Sequence, residues 1–274
     1  MQLADLIPRD SPICFPVFGL TLDPPASFTL FGREIYFYGV LIAAAFLAGM
    51  FTCTRNAEKI GAKADDVYDL LLWLMPVSIL GARAYFVLFR LDYYLAHPAE
   101  IPAVWEGGLA IYGGVLAGIA VILLFCRRRG ICPLAMLDLF STACILGQAI
   151  GRWGNFLTRE AFGRETEIFC RMGLTDVTGS TVYVHPTFLY ESLWCIAGFC
   201  LLRSVLRKRR FDGQCLFLYF VWYGTGRFFI EGLRTDSLYL PHSGIRVSQL
   251  LSALLALTGA VLFLRKGKHS HQAP

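Results

Sequence analysis

The sequence predicts an all-α polytopic membrane protein with seven transmembrane helices, the amino terminus outside, the carboxyl terminus cytoplasmic and a small periplasmic cap. Three observations carry that prediction. Hydrophobic residues make up 56% of the chain against 16% charged, and the mean hydropathy is +0.55. Soluble domains run nearer ~45–50% apolar and ~25% charged. Apolar runs of near-spanning length recur along the whole chain, and Lys and Arg gather in alternate connections between them.

The runs fall at 36–53, 68–90, 107–126, 134–156, 186–203, 214–231 and 247–264. A bilayer needs roughly 20 apolar residues per helix, and lipid cannot satisfy the backbone of an open strand, so the runs are expected to be helices. Ahead of them, residues 1–35 lack a basic start followed by an apolar stretch and carry Pro8, Pro12, Pro16, Pro24 and Pro25 instead. No cleavable signal peptide is expected there. With Phe15, Phe18, Phe28 and Phe31 among the prolines, this arm is read as periplasmic or interfacial. Residues 36–264 form the membrane domain, interrupted by the long outer segment 157–184, and 265–274 form a cytoplasmic tail.

Orientation follows from the cations. Arg55, Lys59 and Lys63; Arg127 to Arg129; Arg203, Arg207 and Lys208 to Arg210; and Arg265, Lys266 and Lys268 all fall in one set of short segments. Arg9, Arg33, Arg90, Arg159, Arg164, Arg171, Arg234 and Arg246 are spread over the longer segments opposite. The positive-inside rule makes the first set cytoplasmic. The net charge of +5 fits such loops, so nucleic acid is not expected as a partner.

Arg83, Arg152 and Arg227 lie within spans. Following each helix's direction puts all three in outer halves, at the depth of Tyr38, Tyr112, His185 and Glu191. An arginine at the bilayer centre costs roughly 2.5–3.5 kcal/mol on insertion scales, so these cations are expected to hold something. The acids within reach are Glu191 and Glu231, the latter spaced i,i+4 from Arg227, while Asp138 is near the inner face. Internal ion pairs that only join helices are one account. The other is uncompensated positive charge that binds an anion, and the commonest anion at that depth is a phospholipid phosphate, which guanidinium matches bidentately. Asn155, at i,i+3 from Arg152, adds a neutral partner on the same helix face.

Other signals are weaker. Gly114 and Gly118, and Gly147 and Gly151, read as helix-packing positions, and Gly113-Gly114 beside Tyr112 also leaves room for a ligand. His97, His242, His269 and His271 look incidental. The nine cysteines show no metal spacing, and no GxSxG, HExxH or CxxC motif is present, so serine, zinc and thiol-redox chemistry have no support. Cys14 and Cys170 are expected outside.

The stretch GRWGNFLTREAFG at 151–163 resembles the signature of bacterial phosphatidylglycerol–prolipoprotein diacylglyceryl transferases. The resemblance extends in order through Tyr38-Gly39, GGLAIYGGVLAG at 107–118, HPTFLYE at 185–191 and GRFFIEGLR at 226–234. It implies an inner-membrane transferase, with its site toward the periplasm, that moves a diacylglyceryl group from phosphatidylglycerol to the lipobox cysteine thiol of a prolipoprotein signal sequence. Glycerol phosphate leaves, and no metal or nucleotide cofactor is needed. By motif, Arg152 and Arg227 would bind the phosphate and stabilise the leaving group, with Tyr38 nearby. Asn155, Glu160 and Gly163 would shape the headgroup site, and Glu231 and Arg234 would orient Arg227 and the incoming peptide. Tyr112 and His185 join them as substrate-binding candidates, and the thiol base is sought among His185, Tyr112 and Glu191 in that order. Many members carry Asn-Gly where this chain has Thr158-Arg159, and some carry His at the position of Tyr112.

The alternative is a transporter or flippase for an anionic lipid or solute. It predicts charged residues along the whole membrane depth, whereas these cluster at one level. A seven-helix receptor would not require three buried arginines.

Overall fold

The computed structural model describes residues 6–8, 11–235, 237–240 and 244–270. Arg9, His242 and His271 lie outside the described residues, as does the far end of the expected tail. In chain order the elements begin with β1 (Ile13–Phe15), β2 (Leu20–Leu22), β3 (Ser27–Leu30), β4 (Arg33–Tyr36) and α1 (Phe37–Asn56). Next come α2 (Ala64–Leu88), the short α3 (Leu91–Ala96), α4 (Ile111–Arg129) and α5 (Pro133–Thr158). The strands β5 (Met172–Thr175) and β6 (Thr181–Val184) lead to α6 (Thr187–Arg207), α7 (Gln214–Glu231) and α8 (Val247–Ser270).

Among the described residues, six helical stretches are long and apolar enough to cross a membrane: Phe37–Ile60, Ala64–Leu88, Ile111–Arg129, Pro133–Thr158, Thr187–Arg207 and Val247–Lys268. The chain is therefore a mostly helical, multi-pass membrane protein. Helix α7, the remaining expected span, is not among the six. Its 18 residues hold Gln214, Arg227 and Glu231. It packs against α8 through small residues: a Cβ on Gly259 would lie 2.6 Å from the Phe217 carbonyl oxygen, and one on Gly224 2.6 Å from that of Ser252.

The all-α expectation needs correcting outside the spans. Strands β1 and β2 of the amino-terminal arm join β5 and β6 in one antiparallel sheet of order β2-β1-β5-β6, with Cys14 opposite Gly173. Strands β3 and β4 form a separate hairpin whose two-residue turn, Phe31-Gly32, has φ of 50° and 75°. Two positive φ values are what a type I′ hairpin turn demands. Ile13, Phe156, Phe162, Met172, Leu174, Val184 and Phe188 bury one apolar cluster. That cluster ties the arm, the end of α5, the sheet and the start of α6 together.

The chain divides into two compact units, residues 53–139 and the remainder. Within 53–139, helices α2 and α4 cross closely. A Cβ on Gly113 would collide with the Gly81 carbonyl and with Tyr85, and one on Gly118 would lie 3.1 Å from Ser78 Oγ. Gly114 and Gly118 thus pack as expected, but the space beside Gly113 is filled by α2 rather than left for a ligand. The pair on α5 does not mark a close crossing, since a Cβ at Gly151 meets nothing within 4 Å.

Arg83 also belongs to this unit and needs a second correction. It is 6% exposed, and its Nε donates to Ile101 O (2.9 Å), Nη1 to Gly107 O (2.9 Å) and Gly108 O (3.2 Å), and Nη2 to Glu100 O (2.6 Å). The guanidinium also sits 5.2 Å from the Tyr94 ring centroid. Backbone carbonyls, not an anion, hold this cation, because a fork of five N–H donors suits a loop whose carbonyls have no helix to bond to.

Candidate active site

Helix α5 places Arg152 and Asn155 on one face, and Arg152 Nη1 donates to Asn155 Oδ1 at 3.3 Å. From α6, Glu191 enters between two cations. Its Oε1 is 3.2 Å from Arg152 Nε, and its Oε2 is 3.2 Å from Arg227 Nη1. Arg227 Nη2 in turn is 2.7 Å from Glu231 Oε2, one turn further along α7. The sequence thus brings Arg152, Glu191, Arg227 and Glu231 into one alternating chain. The expectation of uncompensated positive charge is corrected: the four groups are formally neutral. Low dielectric explains this, since an unpaired buried ion costs several kcal/mol.

The pairing leaves donors over. Glu191 and Glu231 side chains are only 4% and 2% exposed, while those of Arg152 and Arg227 keep 23% and 16%. Each arginine carries five N–H donors, and the contacts above leave some of them unused on both residues. The buried carboxylates fix the two guanidinium groups to a common anchor and leave their outer edges able to receive an anion.

Tyr38, the second residue of α1, lies against α5. A Cβ at Gly154 would collide with its ring, so glycine there is what lets the two helices meet. Trp153 Nε1 donates to Ser192 Oγ (3.2 Å), which donates to Ala149 O (2.9 Å), fastening α5 to α6 beside the ion chain.

Past α5 the chain turns sharply, with Arg159 and Ala161 at φ of 53° and 57°. Glu160 between them is exposed, and its N–H donates to Asn155 O at 3.0 Å. Gly163 sits where three segments meet: its N–H donates to His185 O (2.9 Å), it bridges to Arg234, and an added Cβ would lie 2.6 Å from His185 Cβ. Arg234 is partly buried there. His185 is half-buried, with Nδ1 3.4 Å from Tyr190 Oη, which is itself 3.4 Å from Cys170 Sγ. Burial first, and the nearby Arg164 second, hold the His185 imidazole below its ordinary pKa. It is therefore neutral at neutral pH. Tyr112 stands in the other unit, as the second residue of α4, and is 57% exposed.

Sequence reasoning missed three groups. Gln148, one turn before Arg152, donates through Nε2 to Tyr219 Oη at 2.9 Å, and Tyr219 stacks on Tyr223 at 5.6 Å. Tyr223 stands one turn before Arg227, in the electrostatic field of Glu191, Arg227 and Arg152. Stepping back four residues from each arginine would have found Gln148 and Tyr223. Arg246 donates through Nη1 to the Glu231 carbonyl and through Nε to Tyr239 Oη at 3.2 Å. No local spacing pointed to it.

Comparison with known proteins matches this sequence to a family. The profile of the prolipoprotein diacylglyceryl transferases matches residues 25–265. A phosphatidylglycerol–prolipoprotein diacylglyceryl transferase of Staphylococcus carnosus is 42% identical over 253 residues, covering 89% of this chain and 91% of that one. Its counterpart in Pediococcus pentosaceus is also 42% identical over 253 residues, covering 88% and 90%. That of Lactiplantibacillus plantarum is 40% identical over 255 residues, covering 90% of each. With a match that runs through every helix carrying the ion chain, this chain belongs to the prolipoprotein diacylglyceryl transferase family.

Proposed function

We propose that this chain transfers the diacylglyceryl group of phosphatidylglycerol to the lipobox cysteine thiol of prolipoproteins, at the outer face of the bacterial cytoplasmic membrane. The cysteine sulfur attacks the glyceryl carbon that carries the phosphate. A C–S thioether bond forms, the C–O bond to phosphate breaks, and glycerol phosphate leaves with the bonding electron pair. The thiol proton passes to a base.

Arg152 and Arg227 receive the phosphate on the edges that Glu191 and Glu231 leave open. Their charge-assisted hydrogen bonds strengthen as negative charge builds on the departing oxygen, which is where fixed donors in a water-poor site act most. The N–H edges that the carboxylates leave unused also favour the thiolate over a thiol whose free pKa is about 8.5. Glu191 has its two oxygens turned to Arg152 and Arg227. His185, kept neutral by burial and Arg164, is the proton acceptor. Asn155, Glu160, Gly163 and Tyr38 shape the headgroup site, Tyr112 adds to substrate binding, and Glu231 and Arg234 orient Arg227 and the peptide.

The proposed topology has seven spans, α7 included, with residues 1–35 outside and 265–274 cytoplasmic. The four-stranded sheet and the turn after α5 serve as the periplasmic cap. The arm's hairpin, with Phe31 98% exposed at its tip, lies at the membrane interface. The single observation that carries the reading is the sharing of one buried carboxylate by two partly exposed arginines. Purified protein given phosphatidylglycerol and a lipobox peptide, with no metal, ATP or acyl-CoA, should yield a diacylglyceryl-modified peptide by mass spectrometry. An unmodified peptide, or modification only with one of those additions, counts against it.

A further inference from the structure

We propose a second lipid site, on α2 and α4 at the end of α4 marked by Arg127 to Arg129, that takes one acyl chain of an anionic phospholipid with its phosphate on Arg128. The site is an open groove of about 200 Å³ lined by Trp73, Val77, Val121, Leu124, Phe125 and Arg128. Its shape follows from the sequence. Near Gly81 and Gly113 the two helices touch backbone to backbone. Towards the arginines, small residues give way to the i,i+4 pair Trp73 and Val77 on α2, and to Val121, Leu124, Phe125 and Arg128 at i, i+3, i+4 and i+7 on α4. Side chains of that size hold the helices apart and leave an apolar trough between the two faces.

Charge identifies the occupant. Arg129 is engaged by Asp66 at 3.3 Å and by Asp69. Among the described residues Arg128 has no such partner, and it is exposed at the end of the trough. The seven residues from Val121 to Arg128 rise about 10 Å, so a chain lying in the trough brings its headgroup to the guanidinium. In a membrane an apolar trough is filled by lipid, and a basic residue at its mouth selects an anionic one. Tyr112 is 16 residues away on α4, about 24 Å, so the site is separate from that substrate-binding candidate.

Trp73, 65% exposed, serves as the reporter. The protein is placed in phosphatidylcholine vesicles holding a small, equal mole fraction of either dibrominated phosphatidylserine or dibrominated phosphatidylcholine, and tryptophan quenching is measured. Phosphatidylserine is anionic but is not the transfer substrate. The expected result is a preference of about five-fold for the brominated phosphatidylserine, the ratio that one guanidinium at a lipid surface provides. That excess should vanish in Arg128→Gln and in Trp73→Phe, with both variants melting at the wild-type temperature. Equal quenching by the two lipids, or an excess that survives either substitution, overturns the proposal.

Discussion

Glu191 is the residue on which the arginine pair depends. Its two oxygens reach Arg152 Nε and Arg227 Nη1, each at 3.2 Å, and it is 3% exposed. Glu191→Gln keeps the shape but leaves two buried guanidinium edges against a neutral amide. Removing one partner of a buried pair costs about 3–5 kcal/mol. The variant is expected to melt well below wild type and to lose most transfer activity, and thermal unfolding with a transfer assay checks both. Wild-type melting would mean that the carboxylate is not the anchor. His185 gives a pH signature. Its folded pKa is depressed, so the unfolded chain binds the proton more tightly. The associated stability is complete above about pH 6.5 and is lost as pH falls from there through the lower folded value. Melting temperature should therefore decline below that pH, and His185→Gln should flatten the decline.

At the scale of elements, local spacing foretold the same-face placement of Arg152 with Asn155 and of Arg227 with Glu231, because i,i+3 and i,i+4 neighbours meet on any helix. It did not foretell that Glu191 would bind both arginines, or that β1 would pair with β5. Those partners come from distant parts of the chain and depend on how the elements dock. Arg159 shows both limits. Its φ of 53° lies in the left-handed region that glycine adopts most readily. The arginine instead accepts the left-handed conformation and uses its buried side chain. It bonds Ser11 O (3.0 Å), Pro24 O (2.9 Å), Leu157 O (2.6 Å) and Asp23 Oδ1 (3.2 Å), which pins the arm to the end of α5. Arg159→Ala keeps the strained backbone and loses the pin; hydrogen bonds to charged groups are worth about 1.5–3 kcal/mol each. Trypsin should then cut at Arg33 several-fold faster than in wild type, and an unchanged cleavage rate would show that the sheet alone holds the arm.

For the molecule as a whole, composition and the length of the apolar runs revealed a multi-pass helical protein, and among the described residues six helices meet the length and apolarity needed. Helix α7 carries too much polarity to stand out, and part of that polarity is the proposed site: Arg227 and Glu231 lie on it. In the proposed topology, the residues that weaken the apolar signal of α7 are the ones that give it its role. Arg83, grouped with the other two intramembrane arginines on depth alone, turned out to hold a loop, because depth says nothing about which acceptors a guanidinium finds. The proposed seven spans place the two termini on opposite faces. A green fluorescent protein fused to the carboxyl terminus should fluoresce, and a protease acting from outside should reach the amino-terminal arm. Fluorescence at the carboxyl terminus with a protected arm would leave an even number of spans and exclude α7.

A charge-balanced pair of arginines is proposed still to grip a lipid phosphate and to be needed most when that phosphate departs. The direct measurement is the single-turnover transfer rate from phosphatidylglycerol to a lipobox peptide in Arg152→Lys and Arg227→Lys, each of which keeps the charge and removes the fork of donors. Each rate is expected to fall by about 10²–10³-fold with the protein still folded. Rates within a few-fold of wild type in both variants would contradict it.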